Sequence, residues 1–204
     1  AEVTKGPEST RSCRDHATLP FSAAPWPLTI RVSAPAGCKV GREGNLMPVV
    51  AVVNRKGGSG KSTLATHLAA HCANRGIPVM LGDVDRQQST QTWLRLRSTQ
   101  TLPRQRAPIT SWVVDARNVL RPPSGIRHVI LDTPGGLKDS DLARVVMAAD
   151  AIVMPLCDSV FDRDSAAQCH AELINLPRVA SGRCKLAVVG MRVDARTKAG
   201  EVLR

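Results

Sequence analysis

The chain has 204 residues, 43% of them hydrophobic, which suits one ordinary domain with a core between a sheet and its helices. Its formal net charge of +11 implies attraction to polyanions without choosing between nucleic acid, anionic membrane and nucleotide phosphates. No apolar run approaches the roughly 20 residues of a bilayer span, and the first stretch lacks a basic start followed by a clean apolar segment. Cys13, Cys38, Cys72, Cys157, Cys169 and Cys184 form no CxxC pair and no Cys/His zinc spacing, so they read as reduced thiols of a cytoplasmic protein.

Residues 1–46 are broken by Pro7, Pro20, Pro25, Pro27 and Pro35 and carry no period of 2 or 3.6. They are expected to be disordered or a non-native N-terminal extension, ahead of a folded domain over 47–204 that starts at Met47. Val49-Val50-Ala51-Val52-Val53 then reads as a strand buried on both faces. A glycine-rich loop follows, and a helix over 61–75 stops at Gly76. Pro78 to Leu81 reads as a strand leading into Gly82-Asp83, 89–97 as a helix, and 109–114 and 129–131 as strands, the latter ending at Asp132. A helix over 139–149 capped by Asp139 or Ser140, a strand over 151–156, a helix over 164–176 and a strand over 186–191 complete the alternation. The chain reaches Glu201-Val202-Leu203-Arg204 soon after another helix start, which reads as a truncated C-terminus. Alternation of this kind predicts an α/β, doubly wound, mostly parallel sheet with helices on both faces and ligands at the carboxyl ends of its strands.

The loop Lys56-Gly57-Gly58-Ser59-Gly60-Lys61-Ser62-Thr63 lies between a buried strand and a helix, the context in which backbone N–H groups cradle phosphates. Lys61 reaches the β- and γ-phosphates and the Ser62 hydroxyl is placed to ligate magnesium. Arg55 stands where the common GxxxxGKS pattern has its first glycine. With Lys56, that departure resembles the deviant Walker A box of the ParA/MinD superfamily of P-loop ATPases, closest to short ParA-type and MipZ-like members. The resemblance implies ATP and Mg2+ as cofactors, an ATP-dependent homodimer, and a Lys56 that reaches across to the partner's phosphates as a cation supplied in trans.

Leu81-Gly82-Asp83-Val84-Asp85-Arg86-Gln87-Gln88 is similar to the second box of that superfamily, with Arg86 replacing its frequent proline. The resemblance puts Asp83 in the metal-side network and Asp85 in water positioning; as bare residues, both also read as capping or loop carboxylates. His128-Val129-Ile130-Leu131-Asp132-Thr133-Pro134-Gly135-Gly136 has the Walker B form, with Asp132 facing the magnesium shell and Gly135 offering an amide to the γ-phosphate. Asp158-Ser159-Val160-Phe161-Asp162 is similar to a MipZ-like stretch, and Met191 stands where many members have an adenine-reading asparagine.

From Arg86 to Arg127 there are eight arginines against Asp115 alone, 8 − 1 = +7, a basic face suited to non-specific duplex DNA. An aromatic content of 2% argues against single-strand stacking. The expected function is therefore a cytoplasmic, nucleoid-associated ParA-like ATPase that partitions or positions cargo with a ParB-like or other adaptor. The alternative is a MinD/MipZ-like regulator of division-site placement acting through a protein partner or membrane.

Overall fold

The apolar runs of the sequence become the strands of one sheet, and the helices between them cover its two faces. The computed structural model describes residues 48–85, 87–100, 104–114, 128–194 and 196–197. The segment 1–46, Arg86 and the helix start near 201–204 lie outside them. In chain order the elements are β1 (Val49–Val52), α1 (Lys61–Asn74), β2 (Val79–Asp83), α2 (Ser89–Ser98), β3 (Ile109–Val113), β4 (His128–Asp132), α3 (Asp139–Ala148), β5 (Ala151–Cys157), α4 (Val160–Asn175), α5 (Pro177–Ala180) and β6 (Lys185–Met191).

The strands lie in the order β3-β2-β4-β1-β5-β6 and every pairing is parallel. Alternate residues serve opposite faces. Val52, Leu81 and Ile130 pack with Leu64, Ala65 and Ala69 of α1, while Ala51, Leu131 and Met154 pack with Val145 of α3 and Leu173 of α4. The sheet is thus covered by helices on both sides, as the alternation predicts. Register brings Val52, Asp132 and Asp83 level with one another on β1, β4 and β2, all at the carboxyl end. Gly82 keeps that end flat, because a Cβ there would lie 2.8 Å from Leu131 Cδ2.

Most helix limits follow the periodicity, and α1 stops where Gly76 adopts φ 78° and its N–H donates to the Ala73 carbonyl. Three details differ from expectation. Helix α4 starts at Val160, about a turn before the predicted 164, because Ser159 caps it by accepting from the Asp162 N–H at 3.1 Å. The short α5, begun by Pro177 at its first turn, went unread. In α3 the N-cap is Lys138 with no side-chain cap; Asp139 is the first helical residue, and its carboxylate accepts from Arg55 instead.

Candidate functional site

The phosphate loop leaves the end of β1 and is shaped by its own backbone. Gly58 and Gly60 adopt φ of 74° and 91°, which a residue with a Cβ resists. Asn54, which sequence reasoning passed over, anchors the entry: its amide donates to the Pro155 carbonyl at 2.7 Å and its oxygen accepts from the Lys56 N–H at 2.9 Å. The Ser59 hydroxyl closes the turn by donating to the Lys56 carbonyl at 3.2 Å. Lys61, at the start of α1, is buried and its ammonium donates to the same carbonyl at 2.8 Å. Burial lowers its pKa, while Asp132 and Asp85 pull it back up. A buried cation held this way at the edge of the cavity is poised for polyanion, since its bond to the Lys56 carbonyl is exchangeable for one to phosphate.

Ser62, Thr63, Asp85 and Gly135 line the same open cavity of about 670 Å3 as the loop glycines and Lys61. Gly135 sits directly over the phosphate loop: a Cβ there would lie 3.1 Å from both the Cα and the N of Gly57. The Gly136 N–H donates to the Arg55 carbonyl at 2.7 Å and the Thr133 hydroxyl to the Val52 carbonyl at 2.7 Å, so the segment after β4 is tied to the end of β1 and the loop that follows it.

The three acids are treated differently by the fold. Asp83 is committed to its own chain: one oxygen accepts from the Asp85 N–H at 3.0 Å, the other from the Thr90 N–H at 3.1 Å and the Thr90 hydroxyl at 2.5 Å. It stands beside Asp132 and ties the start of α2 to the end of β2. In a continuing strand Asp83 and Asp85 would share a face, but β2 ends at Asp83 and the turn that follows carries Asp85 to the cavity, where it accepts from the Gln87 N–H at 3.0 Å.

Asp132 is fully buried, and neither of its oxygens has a hydrogen-bond partner among the described residues. Burial is the main reason its carboxyl is pushed up to about 7; the Ser62 hydroxyl, close by but short of hydrogen-bond geometry, and Lys61 oppose this, and Asp83 and Asp85 reinforce it. An orphaned buried carboxylate beside a serine hydroxyl is what a hydrated divalent cation would satisfy, so these residues fit magnesium.

Lys56 does not point into its own loop. Its ammonium pairs with Asp162 at 2.8 Å, and Lys56 and the Ser159 hydroxyl together lower the pKa of Asp162. Of the arginine-rich stretch, Arg95, Arg104 and Arg106 are exposed, whereas Arg97 lies 5.0 Å over the Trp93 ring and donates to Gln105 at 3.0 Å. Arg86, Arg117, Arg121 and Arg127 lie outside the described residues. Met191 packs against the loop, its Cε 3.1 Å from where a Gly60 Cβ would be, and Arg192 lines the cavity beside it with φ 56°. Among the described residues Cys72, Cys157, Cys169 and Cys184 are free thiols, no group of His, Cys, Asp and Glu is arranged to hold a metal by itself, and no helix is long and apolar enough to cross a membrane.

A parallel sheet with a phosphate loop after its central strand, an acid ending the neighbouring strand and a second lysine opening the loop defines an ATPase of the P-loop type within the ParA/MinD superfamily. The chain belongs to the MipZ family, described as ATPase MipZ, whose model matches residues 48–198. It is 42% identical over 107 residues to maintenance of carboxysome distribution protein A of Gloeobacter kilaueensis, covering 52% of this chain and 48% of that protein. It is 28% identical over 122 residues to protein ParA of Rhizobium radiobacter, covering 60% and 54% respectively. The chain thus spans about half the length of these curated relatives. Among solved structures, a plasmid partition protein from Borrelia burgdorferi superposes with a TM-score of 0.57 at 14% identity, covering 76% of this chain and 82% of that one. Cobyrinic acid a,c-diamide synthase from Mycobacterium smegmatis with bound ADP and magnesium gives 0.59 at 18%, covering 78% and 80%. At these identities the two structures speak for the fold alone.

Proposed function

We propose that this chain binds and hydrolyses ATP with Mg2+, dimerises in the ATP state, and uses that cycle to position cargo on non-specific duplex DNA through an adaptor protein of ParB-like or other type. The observation that carries the reading is the pair of lysines flanking one glycine loop, one buried and bonded to a loop carbonyl and the other on its rim, with a buried acid nearby that has no hydrogen-bond partner among the described residues. Lys61 and the amides of Gly57 to Thr63 would hold the triphosphate, and Ser62 with Asp132 would hold the metal, Asp83 supporting from its own hydrogen bonds. Magnesium, when bound, neutralises charge on the phosphate oxygens. Asp85 at the cavity wall positions the attacking water, the Gly135 amide faces the γ-phosphate, and Lys56 of one copy stabilises charge developing in the other.

That division of labour separates binding from turnover. Lys56→Ala and Asp85→Ala should keep their affinity for ATP in calorimetry yet lose about 100-fold or more in steady-state hydrolysis, the scale of removing one electrostatic stabiliser. Full turnover by Asp85→Ala would remove it from its role.

The DNA part rests on the exposed Arg95, Arg104 and Arg106 and on the +7 stretch to which they belong. ATP-bound protein is expected to bind random duplex DNA with an affinity that falls steeply with salt, and Arg95→Ala to reduce the log–log slope by about 1. Salt-insensitive or absent binding sinks the carrier reading and leaves the second one, a MinD/MipZ-like regulator of division-site placement working through a protein partner or membrane, which the MipZ family match supports.

A further inference from the structure

Arg55 occupies the place where the common phosphate-loop pattern has a glycine, so its side chain must serve something that a glycine cannot. Arg55 borders the same cavity as the loop glycines, while its guanidinium lies against two carboxylates at once. It donates to Asp139, the first residue of α3, and its Nε lies 2.7 Å from a carboxylate oxygen of Glu172 on α4. Its carbonyl meanwhile accepts the Gly136 N–H at 2.7 Å. One residue therefore grips the segment joining β4 to α3 at both ends, by backbone near Gly135 and by side chain at the helix start. Within that segment Gly135 touches the phosphate loop so closely that a Cβ would be 3.1 Å from Gly57. The acids raise the pKa of Arg55, the hydrogen bond to Asp139 most, against a smaller opposing effect of burial.

We propose that Arg55 is a positioning residue that fastens the segment 133–138 over the phosphate loop and so sets the placement of the Gly135 amide. Its bearing on turnover rests on the ATPase reading above, whereas its bearing on the segment does not. Asp139 is 91% exposed and Glu172 45% exposed at the side chain, so each pair by itself is a weak surface contact. The effect comes from their convergence on one guanidinium: the hydrogen bond to Asp139 gives it direction, and Glu172, in ion-pair contact with Nε but outside hydrogen-bond geometry, adds charge.

The test is amide exchange in the nucleotide-free full chain, compared between wild type, Arg55→Ala and Asp139→Asn. The second variant leaves the guanidinium in place and removes only the tether. Both should speed exchange of the Gly136 amide about three- to tenfold while β4 amides are unchanged, with Arg55→Lys, which keeps a charge but not the fork, in between. In ATP assays kcat should fall by a similar factor with nucleotide affinity held. Wild-type exchange in Asp139→Asn overturns the proposal. So does an Arg55→Ala variant that loses affinity and keeps kcat, since that assigns Arg55 to phosphate contact. Exchange is read without nucleotide, so a wild-type chain that fails to hydrolyse ATP would count against the ATPase reading alone.

Discussion

Lys61→Ala is expected to bind MgATP at least about 100-fold more weakly than wild type, a loss of roughly 3 kcal/mol. The size follows from where the ammonium sits. It is buried at the start of α1, 2.8 Å from the Lys56 carbonyl and on the same cavity as Gly57, Gly58, Ser62 and Asp85. A triphosphate entering that space meets a cation already stripped of most of its water, so the charge-assisted bonds it forms replace few others. Alanine removes the bond to the Lys56 carbonyl but leaves the Asn54 and Ser59 bonds that also hold the turn. The nucleotide-free variant should therefore melt near wild type while losing the rise in Tm that excess MgATP gives the parent. Titration calorimetry and a thermal scan settle it together. A variant that still shows a ligand-dependent rise equal to wild type would mean that Lys61 is not the phosphate cation.

The second large effect concerns Asp132, and its sign is opposite to the usual one for an acid. Because burial raises its folded-state pKa from 3.8 to about 7, the folded protein binds a proton more tightly than the unfolded chain does. Its contribution is fully present below about pH 4 and is lost as pH rises through about 7, a cost on the order of 4 kcal/mol by pH 8. Asparagine at this position cannot ionise, though its amide would need partners the pocket does not supply. Asp132→Asn should accordingly be more stable than wild type at pH 8 by on the order of 2 kcal/mol in urea unfolding without metal, should lose that advantage near pH 5, and should fail to turn over MgATP. Stability curves that run parallel from pH 5 to pH 8 would show that the carboxylate is not held charged against its surroundings. Magnesium and nucleotide added to wild type should recover part of the deficit, since the ion supplies the missing partner.

The first half of the chain was the more legible. Val49 to Val53 and Val129 to Leu131 announce buried parallel strands by uninterrupted apolar runs, and the residues of the glycine loop directly follow the first run as Asp132 follows the second, so local pattern alone locates them. What the residues could not give is which strands touch. The order β3-β2-β4-β1-β5-β6, which levels Asp83 with Asp132, is a long-range fact with no local signature. The same limit hid the partners of side chains. Thr90 claims Asp83 across a turn whose geometry the spacing does not fix, and Asp162 claims Lys56 over a distance no window covers. Asp139 looked like a cap because an acid before an apolar stripe usually is one; Arg55, far away in sequence, competes for its carboxylate. The early start of α4 did carry a signal, Ser159 followed three residues later by Asp162, but Val160 and Phe161 are exposed at 66% and 80% and so broke the apolar period that marks a helix.

The strand that carries the phosphate loop is made early and paired late. Val50 of β1 lies beside Ile130 of β4 on one side and Ala151 of β5 on the other, and Asn54 reaches Pro155 across 101 positions. Closing loops of that length is slow, so a nascent chain leaving the ribosome holds a complete set of loop residues long before it has the walls that give them shape. Any fragment ending short of β5 would keep the motif and lose the mould.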